Sequence, residues 1–243
     1  MKALLGLAAL GCAPFLLPSY QLGIASEILI FAVLAMSVDL LAGYAGRTPL
    51  CHGAIFGTST YVVILSAAAG SPVWAACLLG VAAAGGLSVL FGIIAVRTSG
   101  VYFLLLTLAL GLIIWGICLR WTGMTGGENG IRGDLRTGWL ADPRQLYWLI
   151  LGVGAVLTFA MWRLVRSPFG LTLRGIKDSP SRMAALGHDV PLHLLAAFVA
   201  SGHFAGAAGA PYALFNDFVS PTTVALPQSV EALLMAILGG VGT

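Results

Sequence analysis

The sequence predicts an all-α, polytopic transmembrane helix bundle of about seven to eight spans, and three observations carry that prediction. Hydrophobic residues make up 59% of the 243 and charged residues only 9%, against roughly 25% charged in an ordinary soluble domain. Mean hydropathy is strongly positive, at +0.97. Apolar runs recur along the chain at close to the ~20 residues a helix needs to cross the hydrocarbon of a bilayer. A soluble core of this length would leave large apolar patches in water. No run alternates with the period of two expected of a barrel strand, and backbone groups in lipid must be satisfied within the segment, so the spans are helices.

The runs fall near 3–18, 23–45, 50–69, 73–96, 101–119, 147–165 and 192–213, with an eighth opening at Glu231 at the outer surface. The first begins with Lys2 and holds Gly11-Cys12, a pattern shared with cleaved leaders. Ala9 stands where a lipoprotein site wants a branched aliphatic, and more membrane follows Cys12, so a retained helix, short and bent near Pro14, is expected. Between the second and third runs lies Gly43-Tyr44-Ala45-Gly46-Arg47-Thr48-Pro49, where Pro49 forbids a continuous helix. Gly202, Ala205, Gly206 and Gly209 are spaced to let helices approach closely. Only about half a span separates Glu231 from Thr243, so a truncated chain is the expectation.

Basic residues set the orientation. With the N-terminus inside, Lys2, Arg47, Arg97, Arg163, Arg166, Arg174, Lys177 and Arg182 face the cytoplasm, while Arg120, Arg132, Arg136 and Arg144 face out. The outer four share the 120–146 loop with Glu128, Asp134 and Asp142. The positive-inside rule therefore places the polar 163–191 loop in the cytoplasm. Topology accounts for the net charge of +3, leaving no reason to expect a nucleic-acid partner.

No constellation suggests chemistry by the chain itself. Cys12, Cys51, Cys77 and Cys118 lack metal or disulfide spacing and read as small buried hydrophobes. His193 and His203 point to different helix faces, and no HExxH, GxSxG, Walker A or paired-carboxylate motif occurs. Ionisable groups within spans are costly and usually face a cavity or a partner. Asp39 reads equally as a gate residue or as an acceptor for the glycine-rich segment beside it. Glu231 and His203 read as structural: a surface charge and a bond to a neighbouring helix. Thr125-Gly126-Gly127-Glu128-Asn129-Gly130 forms a turn-rich element after the fifth run.

Three further blocks stand in order along the chain. The first runs from Asp39 through Gly43, Tyr44 and Gly46, followed by Leu50, His52, Gly53, Ala54 and Phe56. The second is Thr107-Leu108-Ala109 leading to Gly126, Gly127, Asn129 and Gly130. The third is Ser167-Pro168-Phe169-Gly170 through Arg174, Ile176, Ala184, Ala185, Leu186 and Gly187 to Ala205-Gly206-Ala207-Ala208-Gly209 and Leu238-Gly239-Gly240-Val241-Gly242. Together the three blocks resemble the membrane permease of branched-chain amino acid ABC importers, the binding-protein-dependent class. The match is collinear from about residue 27 onward; it departs at Pro49, Cys51, Ser59-Thr60-Tyr61 and His203, which bears on substrate identity.

The resemblance implies an inner-membrane transport subunit, not an enzyme, with no cofactor of its own and ATP-Mg on a partner ATPase. It implies three kinds of partner: ABC ATPase subunits, a second permease subunit and a periplasmic substrate-binding protein. It implies a short helix in the 163–191 loop that docks on the ATPase. There Pro168 and Gly170 turn the chain, Ala184 and Ala185 give a small docking surface, and Gly187 ends the helix. Arg174, Lys177 and Arg182 then meet acidic groups of the partner or membrane lipid headgroups. Asp39, Gly43, Tyr44, Gly46 and Thr107 become candidates for pathway or gate, and Gly126, Gly127, Asn129 and Gly130 for contact with a delivery protein. The implied small-molecule substrate is a branched-chain or related hydrophobic amino acid, with urea or a short amide as the near alternative. A secondary transporter using Asp39, His203 and Glu231 as an ion relay remains open.

Overall fold

The second apolar run forms α1 (Ser19–Asp39), which continues without a break into one π-helical turn, Leu40–Tyr44. The computed structural model describes residues 18–242 together with Gly11 and Pro14. The helix expected over 3–18, with Lys2, Ala9 and Cys12, lies outside the described residues, as does Thr243. After α1 come α2 (His52–Ala68), α3 (Val73–Ala95), α4 (Gly100–Arg120) and α5 (Pro143–Val165). Two short helices, α6 (Pro168–Asp178) and α7 (Pro180–Ala185), precede α8 (Val190–Asn216) and α9 (Leu226–Gly239). One two-residue ladder pairs Ile131 with Val219 and Arg132 with Phe218.

The chain is thus an all-α, multi-pass helix bundle, but its helices are not equal. Among the described residues five are long and apolar enough to cross a membrane: α1 with its π-turn, α3, α4, α5 and α8. The runs read as the third and eighth spans are part-length helices of 17 and 14 residues. They begin inside the bundle, as their neighbours show. The Leu50 N–H donates to Thr107 Oγ1 at 3.1 Å. The Leu50 carbonyl also sits 3.4 Å from where a Cβ on Gly111 would lie. Thr107 and Gly111 occupy the middle of the 21-residue α4, so α2 starts near mid-depth, and residues 45–51 reach it as non-helical chain.

From the other end of the bundle, residues 217–225 descend through the single turn Pro221–Val224 before α9 starts. The Gly53 N–H donates to Ser229 Oγ at 2.8 Å. The first turns of α2 and α9 therefore meet at one depth and run in opposite directions. Such breaks are tolerated in a membrane only where protein satisfies the freed backbone, and Thr107 and Ser229 supply that. Glu231, one turn into α9, is consequently not at the outer surface as the sequence suggested. It lies within the bundle because the preceding segment re-enters.

The centre is packed by small residues. Gly202 abuts Ser88 and Gly206 abuts Ala84 of α3, and Gly209 lies against Phe56 and Ser59 of α2. Ser59 and Thr60 donate to the Gly206 and Gly209 carbonyls at 2.7 and 3.1 Å, just ahead of Pro211 within α8. The His52 Nε2 lies 2.6 Å from Ser201 Oγ, which donates to the Ser37 carbonyl, joining α2, α8 and α1.

Where the resemblance implied one helix between a turn at Pro168 and a stop at Gly187, there are two. Pro168 and Pro180 occupy first-turn positions, where a missing N–H costs nothing. Gly187 does end α7, at φ +89°. Gly170 does not turn the chain; it sits in the first turn of α6 so close to the Val165 backbone that no side chain fits.

Candidate functional site

One face of α1 is buried in the bundle by Leu22, Ser26, Ile30, Val33, Leu34 and Ser37. The other lines a cleft of about 730 Å³ with residues at i, i+3, i+4 and i+7: Ile24, Glu27, Ile28, Phe31, Ala35 and Asp39. At 1.5 Å per residue these span about 22 Å, most of a bilayer's apolar depth. The facing wall is α9, with Gln228, Glu231, Met235 and Gly239, and Tyr212 of α8 closes the back. Phe31, Phe56 and Tyr212 pack edge-on and tilted into that back wall, Phe56 and Tyr212 with centroids 5.0 Å apart.

Three carboxylates thus share one largely apolar channel. Glu27 and Glu231 both lie in the electrostatic field of the Tyr212 hydroxyl, which bonds the Asn216 side chain. Asp39, at the far end, accepts the Gly242 N–H at 2.9 Å. A few polar groups set in an apolar concavity are the usual composition of a small-molecule site. Carboxylates favour a solute bearing an ammonium or another positive group, while the apolar walls favour an aliphatic body.

The end of the cleft at Asp39 is mechanically tied to α6. The Lys177 ammonium donates to the Gly43 carbonyl at 2.8 Å, and Asp39 lies within its field. The aliphatic stem of Lys177 packs on Gly46, whose φ of +68° leaves no room for a side chain. Arg174 stacks on the Tyr44 ring at 4.8 Å. Leu173 and Ile176 anchor α6 by their burial beside this pair. The π-turn carries this tie, and π-turns recur at functional sites. By contrast Ala184, Ala185, Leu186 and Gly187 are exposed at the tip of α7, a small apolar surface.

A family model, that of the branched-chain amino acid transport system permease component, matches residues 20–243. The chain belongs to this family. Two curated relatives carry the name "High-affinity branched-chain amino acid transport system permease protein LivM". The one from Salmonella typhimurium (strain LT2) is 26% identical and the one from Escherichia coli (strain K12) is 27% identical, each over 95% of this chain. The chain spans 61% of the length of each. No solved structure matches.

Within this permease family framework the residues singled out from the sequence divide into groups. Asp39, Gly43, Tyr44 and Gly46 come together at the foot of the cleft with Arg174 and Lys177, whereas Thr107 is remote, holding the break before α2. Gly126, Gly127 and Gly130 adopt positive φ and shape a turn that packs on the re-entering 217–219 segment. Asn129 is exposed at its tip. His203 bonds the Val199 carbonyl of its own helix at 2.8 Å, covers Gly85 and stays out of the cleft. An ion relay through Asp39, His203 and Glu231 is therefore broken at its middle member.

Sequence reasoning missed Glu27, Tyr212 and Gln228. A signal existed for the first, since Glu27 and Asp39 stand on one i+4 ladder. None existed for Gln228, whose position depends on the re-entrant segment.

Proposed function

We propose that the chain is a membrane-spanning subunit of an ATP-driven importer in the inner membrane, with its N-terminus cytoplasmic, that passes branched-chain or related hydrophobic amino acids. The α1–α9 cleft forms one wall of the path, and α6–α7 is the element on which a partner ATPase docks. The observation that carries this reading is the tie from Lys177 and Arg174 to the π-turn at Asp39. It gives a polar element outside the spans a direct grip on the end of the cleft. ATP-Mg would act on the partner, and a second permease subunit and a periplasmic binding protein complete the assembly. Movement of α6 between nucleotide states would then shift the π-turn and expose the cleft to alternate sides, through contacts that differ in the two states.

The test is recovery of an ATPase with the tagged chain in mild detergent, comparing the native chain with Ala185→Glu. This position is preferable to Gly187, where positive φ would strain any side chain. ATPase retained by the native chain and lost from the variant supports the reading. Retention by both overturns the assignment of α7 as the docking element, and absence from both overturns the ATP-driven reading.

Three carboxylates in one cleft favour a second reading, an ion-coupled carrier. It predicts uptake that survives loss of any ATPase and stops when an ionophore collapses the ion gradient. Urea is separated from amino acids by competition: excess leucine leaves urea uptake untouched if the pathway serves short amides.

A further inference from the structure

A second pocket, of about 320 Å³, opens between α1, α5 and α6 at the end of the bundle rich in arginine. Its walls split into two kinds. Met36, Leu40, Met161 and Val165 form an apolar side, and Arg166 and Arg174 stand at the rim. Each guanidinium is laid flat on an aromatic ring, Arg166 on Trp162 at 4.6 Å and Arg174 on Tyr44 at 4.8 Å. Among the described residues neither guanidinium has a hydrogen-bond or ion-pair partner. Stacking consumes the face of the group and leaves its N–H edges free, the arrangement that holds a phosphate in bidentate fashion.

Position along the span identifies the phosphate's carrier. Trp162 and Arg166 close the 23-residue α5, at the level where interfacial tryptophan and arginine meet headgroups. The apolar wall runs from there back toward the bundle interior, as an acyl chain requires. Asp39 also lines the pocket. Its carboxylate is engaged by the Gly242 N–H and lies in the field of Lys177, so it does not cancel the rim charge. We propose that this pocket binds an anionic phospholipid, with the phosphate on Arg166 and Arg174 and an acyl chain on the apolar wall. The proposal needs only that the chain is a multi-pass membrane protein; it stands whether or not an ATPase docks on α7. A lipid here would touch α5 and α6 and the π-turn together, so it would also brace the foot of the cleft.

The experiment uses the purified full chain, stripped of lipid in an uncharged detergent. It is then offered phosphatidylglycerol, phosphatidylcholine of the same acyl chains, or inorganic phosphate. Bound lipid is counted by mass spectrometry of the intact complex and the thermal midpoint is recorded. Phosphatidylglycerol should be retained on the order of tenfold more than phosphatidylcholine, and should raise the midpoint. Arg166→Gln with Arg174→Gln should bring the two lipids level. Arg97→Gln, a basic residue outside the pocket, should not. Equal retention of both lipids by the native chain overturns the proposal. So does displacement of phosphatidylglycerol by inorganic phosphate, which would mark a free-anion site, or an equal loss in Arg97→Gln, which would mark diffuse attraction. If the double glutamine variant does not fold, Arg166→Lys with Arg174→Lys replaces it. That pair keeps the charge but lacks the planar fork, so retention should fall between the native and level values, and native-like retention overturns the bidentate geometry.

Discussion

The junction of α2, α3 and α8 and the cleft between α1 and α9 lie side by side in the same bundle and are built on opposite plans. The junction is closed. Glycines meet serines and backbone carbonyls, and the Ser59 and Thr60 hydroxyls are spent on carbonyls of the neighbouring helix. The cleft is open and lined by exposed Glu27 and Glu231. In lipid there is little hydrophobic drive between helices, so close packing and interhelical hydrogen bonds hold them together. Here cohesion is concentrated in one seam and the next one is left loose. The part-length helices α2 and α9 belong to both plans, since their first turns close the junction and the body of α9 walls the cleft.

Four substitutions probe that contrast, beginning with the largest effect. Gly209→Leu forces a side chain into the Phe56 backbone and Ser59, and overpacking of this kind costs about 3 kcal/mol or more where backbone cannot yield. Loss of monodisperse protein in detergent is expected; a native thermal midpoint would show that the junction is not rigid. Glu231→Gln removes charge from the cleft without changing shape. On the proposed function, uptake should fall on the order of tenfold, as expected when a cationic group loses its partner, with the thermal midpoint unmoved. Unchanged uptake with unchanged stability would remove Glu231 from the path.

Lys177→Met keeps the aliphatic stem on Gly46 but releases the Gly43 carbonyl. The tie is partly solvent-exposed, so on the proposed function its removal should lower uptake per ATP hydrolysed only about two- to fivefold. ATPase recovery should stay native, and Lys177→Arg should restore part of the coupling. A proportional fall in ATPase binding would instead make Lys177 a docking residue. Smallest is His203→Phe. The ring lies on the outer flank of α8, so stability should change by less than about 0.5 kcal/mol, and uptake not at all. A large loss of uptake would reinstate the ion relay.

Much of the fold was legible because lipid imposes a blunt rule: runs such as 101–119 or 147–165 have few ways to satisfy their backbone other than as spanning helices. The same bluntness misled where a run was apolar but did not begin at a membrane surface. Residues 50–69 and the segment around Glu231 carry the composition of a span, yet their helices start inside the bundle. What holds those starts is the hydroxyl of Thr107, 57 residues from Leu50, and that of Ser229, 176 residues from Gly53. No local pattern announces partners so far apart. The glycines of α8 were readable as packing residues, yet their partners on α2 and α3 were not.

For the site the division is similar. Asp39, Gly43, Tyr44, Gly46, Arg174 and Lys177 were each nameable from the sequence, because charges and glycine breaks next to apolar runs are conspicuous. Their meeting at one point was not, for α6 reaches the π-turn only through the fold of the 163–191 segment.

By itself, then, the sequence determined the class of solvent, the helical nature of the spans and its resemblance to a permease family. These follow from composition, period and local motif, which act over a turn or a span. Tertiary structure alone decided which spans are interrupted, which carboxylates share a cleft and which arginines remain unpaired at a pocket's rim. Those depend on contacts between residues far apart in the chain, and in an apolar sequence many pairings look alike until the backbone has been placed.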